Sequence, residues 1–263
     1  MNIADENASK FISDSEKSND LSGHRHRRLI GIIGLVLPFL LWLLDGWRFT
    51  EGLHRWHPLS SISAYYYTGA VSALSGALAA LAVFLFAYRG YNNEYRRYDR
   101  WAAIIAGIAA ILVAFFPTRV PTDFSSPSWW TEQMGRIHYF AAVVLFSSFI
   151  FFCLVQFPRS DLKKGELPWD KQARNYFYIF CGLAITACMV WAALALRNNA
   201  PIFWPETLAL EFFAFSWLVK GRVDKPIANV GRQALHYGKH PRQLANDVGR
   251  AMRVSKRKQA GTS

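Results

Sequence analysis

Two carboxylates stand out because of where they fall. Glu206 and Glu211 are the only acidic residues inside six long apolar runs, 29–44, 69–88, 101–116, 137–157, 175–196 and 202–219. An ionisable group in hydrocarbon costs roughly 2.5–3.5 kcal/mol on insertion scales and turns toward the bundle interior or a polar cavity. No Lys or Arg lies within the runs to pair with Glu211. It is therefore expected as a neutral acid hydrogen-bonded to Ser72, Ser75, Ser147 or Ser148. Such an acid would either handle a proton or ligand, or bridge helices structurally. The two acids are five residues apart, about 140° around a helix, and need not share a face.

The histidines are the second source of chemistry. His54-x-x-His57, with His138 and Glu206, has the residue types of a zinc site, since neutral imidazoles and a carboxylate suit that ion. Interfacial loops carry such histidines without a metal equally well, so the spacing assigns neither metal nor cofactor. Ser63 becomes a nucleophile only with a base in reach, and that proximity cannot be read from sequence. The chain holds no Gly-rich phosphate loop, His-Glu-x-x-His, Gly-x-Ser-x-Gly or Cys-x-x-Cys, which removes the motif-bearing nucleotide, zincin, hydrolase and redox classes.

The elements that must position these residues follow from composition. The chain has 263 residues, 52% of them apolar and only 18% charged, yet a net charge of +12. Cys153, Cys181 and Cys188 all lie within apolar runs, which excludes a secreted disulfide framework. Each run has about the 17–25 residues that a membrane-spanning helix needs once flanking residues complete the shorter ones. The expected fold is all-α, an integral six-transmembrane-helix bundle over 29–221. Residues 1–28 are expected as a disordered tail ending in the basic cluster His24-Arg25-His26-Arg27-Arg28, and the first run as an uncleaved signal anchor. Residues 222–263 form a basic tail, either solvated or lying on the membrane as an amphipathic helix.

Charge sets the orientation. Twenty-five of the 30 Lys and Arg fall in the two tails and the second and fourth connections, and five in the other three connections. By the positive-inside rule both termini are cytoplasmic. Attraction of the C-terminal tail to anionic lipid, at about 1 kcal/mol per basic residue, accounts for the basicity, and nucleic acid is not an expected partner. Small-residue stripes at Ser72, Gly76 and Ala80 and at Ala106, Ala110 and Ala114 are expected to let helices approach closely. Residues 62–88 read as one helix capped by Ser60 or Ser61.

This topology sends three separated segments to the outer side: the stretch from His54 through Thr68, His138 with Tyr139, and the Phe203-Trp204-Pro205-Glu206 start of the last helix. The expected ligand-binding residues are Ser63, Tyr66, His138, Glu206 and Glu211, forming an outer-facing polar pocket for a lipid headgroup or small amphiphile. The alternatives are a membrane-embedded metal-dependent lipid hydrolase using His54, His57 and His138, and a scaffold or accessory subunit. Membrane lipids are the expected partners, with a protein partner or a homo-oligomer left open.

The series Ser61-Ile62-Ser63-x-Tyr65-Tyr66, Phe116-Pro117-Thr118, Ile137-His138-Tyr139, Phe203-Trp204-x-Glu206 and Ser216-Trp217-Leu218-Val219-Lys220-Gly221 resembles an uncharacterised family of bacterial polytopic inner-membrane proteins. The resemblance covers about residues 29–221 and implies six helices in the bacterial inner membrane, with no activity attached. Val71-Ser72 stands where that pattern often has Arg-Asp. The Ser/His arrangement is also similar to that of membrane-embedded metal-dependent lipid amidases. Their C-terminal-helix histidines are missing, since His236 and His240 lie in the tail.

Overall fold

The computed structural model describes residues 3–47, 57–88, 96–122, 124–159 and 168–222. All described elements are helical: α1 (Ile3–Trp47), a 3-10 turn (Ser63–Tyr67), α2 (Val71–Ala87), α3 (Arg96–Phe115), α4 (Glu132–Phe151) running into a π-helical turn (Phe152–Gln156), α5 (Trp169–Arg197) and α6 (Phe203–Lys220). They fall within one compact unit, Met1–Gly221. His54 and the C-terminal tail beyond Arg222, expected at the membrane surface, lie outside the described residues.

Among the described residues, four stretches are long and apolar enough to cross a membrane: Gly23–Gly46, Arg96–Phe115, Glu132–Gln156 and Trp169–Arg197. Helix α2 is shorter at 17 residues, about 25 Å at 1.5 Å per residue. Helix α6 has 18 residues but carries Glu206, Glu211 and Lys220. The outward faces are apolar too. Ile32, Val36, Phe39 and Leu43 on α1, and Phe180, Leu183, Val190 and Leu194 on α5, are each between 46% and 59% exposed. Helices with apolar residues both inside and outside suit a hydrocarbon surround.

Each helix packs against the next, and α1 closes the ring on α6. The helices alternate in direction, as the contacts at each end show. At one end His26 at the start of the apolar part of α1 bonds the Phe84 carbonyl near the end of α2, and Arg100 near the start of α3 donates to Phe86 O. There too Lys220 at the end of α6 and Lys171 at the start of α5 both donate to Phe157 O. At the other end the starts of α2 and α4 meet the end of α3, and the start of α6 meets residues 60–62.

Helix α1 begins at Ile3, and residues 3–21 hold no Pro or Gly that would interrupt a helix. Two sequence expectations are corrected. The stretch 62–88 is not one helix: the 3-10 turn ends at Thr68, and α2 restarts after Gly69-Ala70. Thr68 takes both bonds that would have continued it, its N–H and Oγ1 donating to Tyr65 O at 3.2 and 3.0 Å. Finally, a Cβ on Gly76 would meet nothing within 4 Å, so that stripe faces outward. The Ala106, Ala110 and Ala114 stripe is buried. Among the described glycines, the closest approach to a backbone atom is one the spacing did not reveal: a Cβ on Gly31 would lie 2.9 Å from Ala214 O of α6.

Candidate functional site

The end of the bundle opposite Lys171 and Lys220 is tied together by the segment 59–68. Ser60 O accepts from the N–H groups of Ile202 and Phe203 at 2.6 and 3.0 Å. Glu206 Oε2, one turn into α6, accepts from Ile62 N at 2.7 Å. The first turn of a helix has N–H groups without intrahelical partners, and here a neighbouring chain segment supplies the acceptor. Within the segment, Ser61 Oγ accepts from Ala64 N at 3.0 Å, closing the 3-10 turn.

That turn delivers Ser63 to His138. His138 Nε2 lies 2.9 Å from Ser63 Oγ, and its Nδ1 lies 2.6 Å from Phe116 O. A carbonyl oxygen only accepts, so Nδ1 carries the proton. In the neutral ring Nε2 is then the acceptor, and Ser63 Oγ donates to it. The ring is buried, at 4% exposure. Phe116 O is available because α3 ends there before Pro117, and the last carbonyls of a helix have no intrahelical partner.

Tyr67 extends the network: its hydroxyl and Trp130 Nε1 both donate to Thr118 O, at 2.6 and 3.1 Å. Tyr65 Oη accepts from Leu59 N. Burial pushes the phenols of Tyr65 and Tyr67 up to about 12.

Ser63, His138 and Glu206 are therefore brought together, and Ser63 and Glu206 line a cavity of about 50 Å³. The rest of its wall is apolar and comes from α1, α2, α3, α4 and α6, including Leu37, Leu74, Leu78, Leu145 and Leu210. Tyr66 is not in the wall; its ring packs edge-on against Trp129, 6.4 Å between centroids. Glu211 is also outside it. It is 9% exposed, and its Oε1 has no hydrogen-bond partner. The serines expected to serve it are occupied elsewhere or outward-facing: Ser148 donates to Val144 O, Ser75 to Ala114 O, and Ser72 and Ser147 are exposed. Ser148 satisfies itself on its own helix and Ser75 on the backbone of α3, which is why α6 cannot count on them. Thr207, one turn before Glu211, likewise has an unpartnered Oγ1.

The histidine set is not assembled among the described residues. His57 is exposed, and both ring nitrogens of His138 are engaged by Phe116 and Ser63. No group of three metal-ligating side chains is found there. The sequence reading missed the two backbone carbonyls that organise the site, Ser60 O and Phe116 O. Pro117 was the available signal for the second. Beside the site, Arg119, Trp130, Glu132, Gly135, Arg136 and Tyr139 line an open groove of about 410 Å³.

No protein-family model, no curated protein and no solved structure matches the chain. The reading of the site rests on its geometry.

Proposed function

We propose that this is a six-helix integral protein of a bacterial inner membrane, with both termini cytoplasmic, that holds a small amphiphile or the head and first carbons of a lipid in an outer-facing pocket. The alternating helix directions, the apolar outward faces and the 25-to-5 division of Lys and Arg support the topology. The observation that carries the binding reading is the cavity itself. Its wall is apolar, and the polar groups of Ser63 and Glu206 sit together on it, as an amphiphile demands: a few placed polar groups on an otherwise apolar lining. At about 50 Å³ it has room for roughly the first one or two carbons of a chain beside the polar groups. The adjoining groove, with Arg119 among its walls and Arg136 paired there to Glu132 at 3.1 Å, gives an anionic headgroup a place outside it. In this scheme Ser63, His138 and Glu206 set hydrogen bonding, and Tyr66 with Trp129 forms an aromatic wall at headgroup level.

Native mass spectrometry of the full chain released from mild detergent tests this. The wild type is expected to retain a lipid. Leu78→Trp, which fills the cavity, should release it, and Glu206→Gln should weaken retention. A folded wild type that carries no lipid, or a Leu78→Trp protein that carries as much, overturns the reading.

A further inference from the structure

We infer that Ser63 is an acyl-accepting nucleophile and His138 its general base, so that the pocket takes an ester-linked lipid or amphiphile and cleaves it. The inference rests on the binding reading above and names a substrate class for the same cavity.

Three observations converge. First, the hydroxyl and the base are in hydrogen-bond contact, Ser63 Oγ to His138 Nε2 at 2.9 Å, within the reach that proton abstraction requires. Second, the other ring nitrogen is fixed on Phe116 O at 2.6 Å. That bond sets the tautomer with its lone pair on Nε2. It also strengthens when the ring becomes cationic, because charge-assisted hydrogen bonds are stronger than neutral ones. The carbonyl thus takes the orienting role that a third residue plays in nucleophile–base sets. Third, Ser63 is the member of the pair that lines the cavity, while the ring behind it is not part of the wall. A serine that merely satisfied a buried histidine would not need to face empty apolar space.

The step balances as an acyl transfer. Ser63 Oγ bonds to the ester carbonyl carbon, and its proton moves to His138 Nε2. The carbon–oxygen bond to the alcohol breaks, and the proton on Nε2 passes to the departing alkoxide. Water, delivering its proton to the same nitrogen, then attacks the acyl-Ser63 carbonyl. The carboxylic acid leaves and the serine hydroxyl is restored. No electrons are exchanged with a redox partner. Glu206 is a positioning residue here: its bond to Ile62 N holds the residue next to Ser63.

The test uses the full chain in mild detergent and an alkyl fluorophosphonate, which transfers its phosphonyl group to an activated serine with loss of fluoride. The expected result is one adduct, on the peptide containing Ser63. It should be absent in Ser63→Ala and form at least about 100-fold more slowly in His138→Asn, the scale of a lost general base. Asparagine keeps a side-chain N–H for Phe116 O but has nothing in the place of Nε2, so a thermal melt near that of wild type separates lost base from lost fold. A folded wild type without an adduct at Ser63, or His138→Asn labelling at the wild-type rate, overturns the inference. Retained lipid without an adduct leaves the binding reading standing and removes the nucleophile. An adduct on protein that retains no lipid does the reverse.

Discussion

His138 joins two segments distant from it along the chain: Ser63 Oγ, 75 residues away, and Phe116 O, 22 residues away, sit on the two nitrogens of one buried ring. The ring is pinned at both ends, so its orientation is a property of the fold and not of its rotamer preference. Removing it leaves the Phe116 carbonyl buried without a donor.

His138→Ala is therefore expected to destabilise the protein by about 1–3 kcal/mol, the cost of one stranded buried polar group. His138→Asn should recover part of that loss through Phe116. Thermal unfolding of the two variants in the same detergent decides the matter; equal losses would show that the carbonyl bond contributes nothing.

The clamp between α6 and the segment before α2 makes a separate prediction. Glu206→Ala strands Ile62 N–H and should cost about 1–3 kcal/mol. The loosening should be local: amide exchange should quicken over Ser61–Tyr67 and not in α5. Glu206→Gln, whose amide oxygen still accepts, should leave exchange there close to wild type. If the glutamine variant exchanges as fast as the alanine one, the carboxylate acts by charge and the clamp account is wrong.

The helices and the polar end were legible in the sequence, because run length and charge asymmetry are summed over many residues. Ser63, His138 and Glu206 could be sent to one end by topology alone. What could not be read was anything decided by one contact. The pairing of Ser63 with His138 depends on a 3-10 turn whose Thr68 side chain breaks the expected helix. The isolation of Glu211 depends on Ser148 and Ser75 bonding backbone carbonyls and on Ser72 and Ser147 facing outward. Small-residue spacing identified the buried alanines of α3 but equally nominated Gly76, because four-residue spacing does not say which way a stripe faces.

Glycine substitutions test that last distinction directly. A Cβ at position 31 would lie 2.7 Å from Leu218 Cγ and 2.9 Å from the Ala214 carbonyl, a backbone atom that cannot swing aside. Gly31→Ala should force α1 and α6 apart at a cost of about 1–3 kcal/mol. Gly76→Ala meets nothing within 4 Å and should be neutral or stabilise by up to about 1 kcal/mol through helix propensity. Similar melts for the two variants would mean that α1 and α6 do not approach closely at Gly31.

Alkaline titration probes the same polar end. Tyr65 and Tyr67 hold their protons up to about 12 because burial disfavours the phenolate, whereas a free phenol titrates near 10. The folded state thus binds these protons more tightly than the unfolded one. Their contribution to stability is complete below pH 10 and is lost as pH rises through about 12. Ultraviolet tyrosinate absorbance should show a late fraction that shrinks in Tyr67→Phe; an unchanged late fraction would place Tyr67 in water.

Topology is open to the most direct measurement, because the native thiols do not interfere. Cys153, Cys181 and Cys188 are buried, so a membrane-impermeant thiol reagent should leave the wild type in intact cells unmodified. Ser128 and Asp170 are both exposed, one beside Trp129 and the other in the first turn of α5. With six crossings they lie on opposite sides, since one complete helix, α4, separates them. Ser128→Cys should label from outside the cell and Asp170→Cys only after permeabilisation. Labelling of both from the same side would mean that α4 does not cross, and Ser63, His138 and Glu206 would no longer belong to an outer pocket.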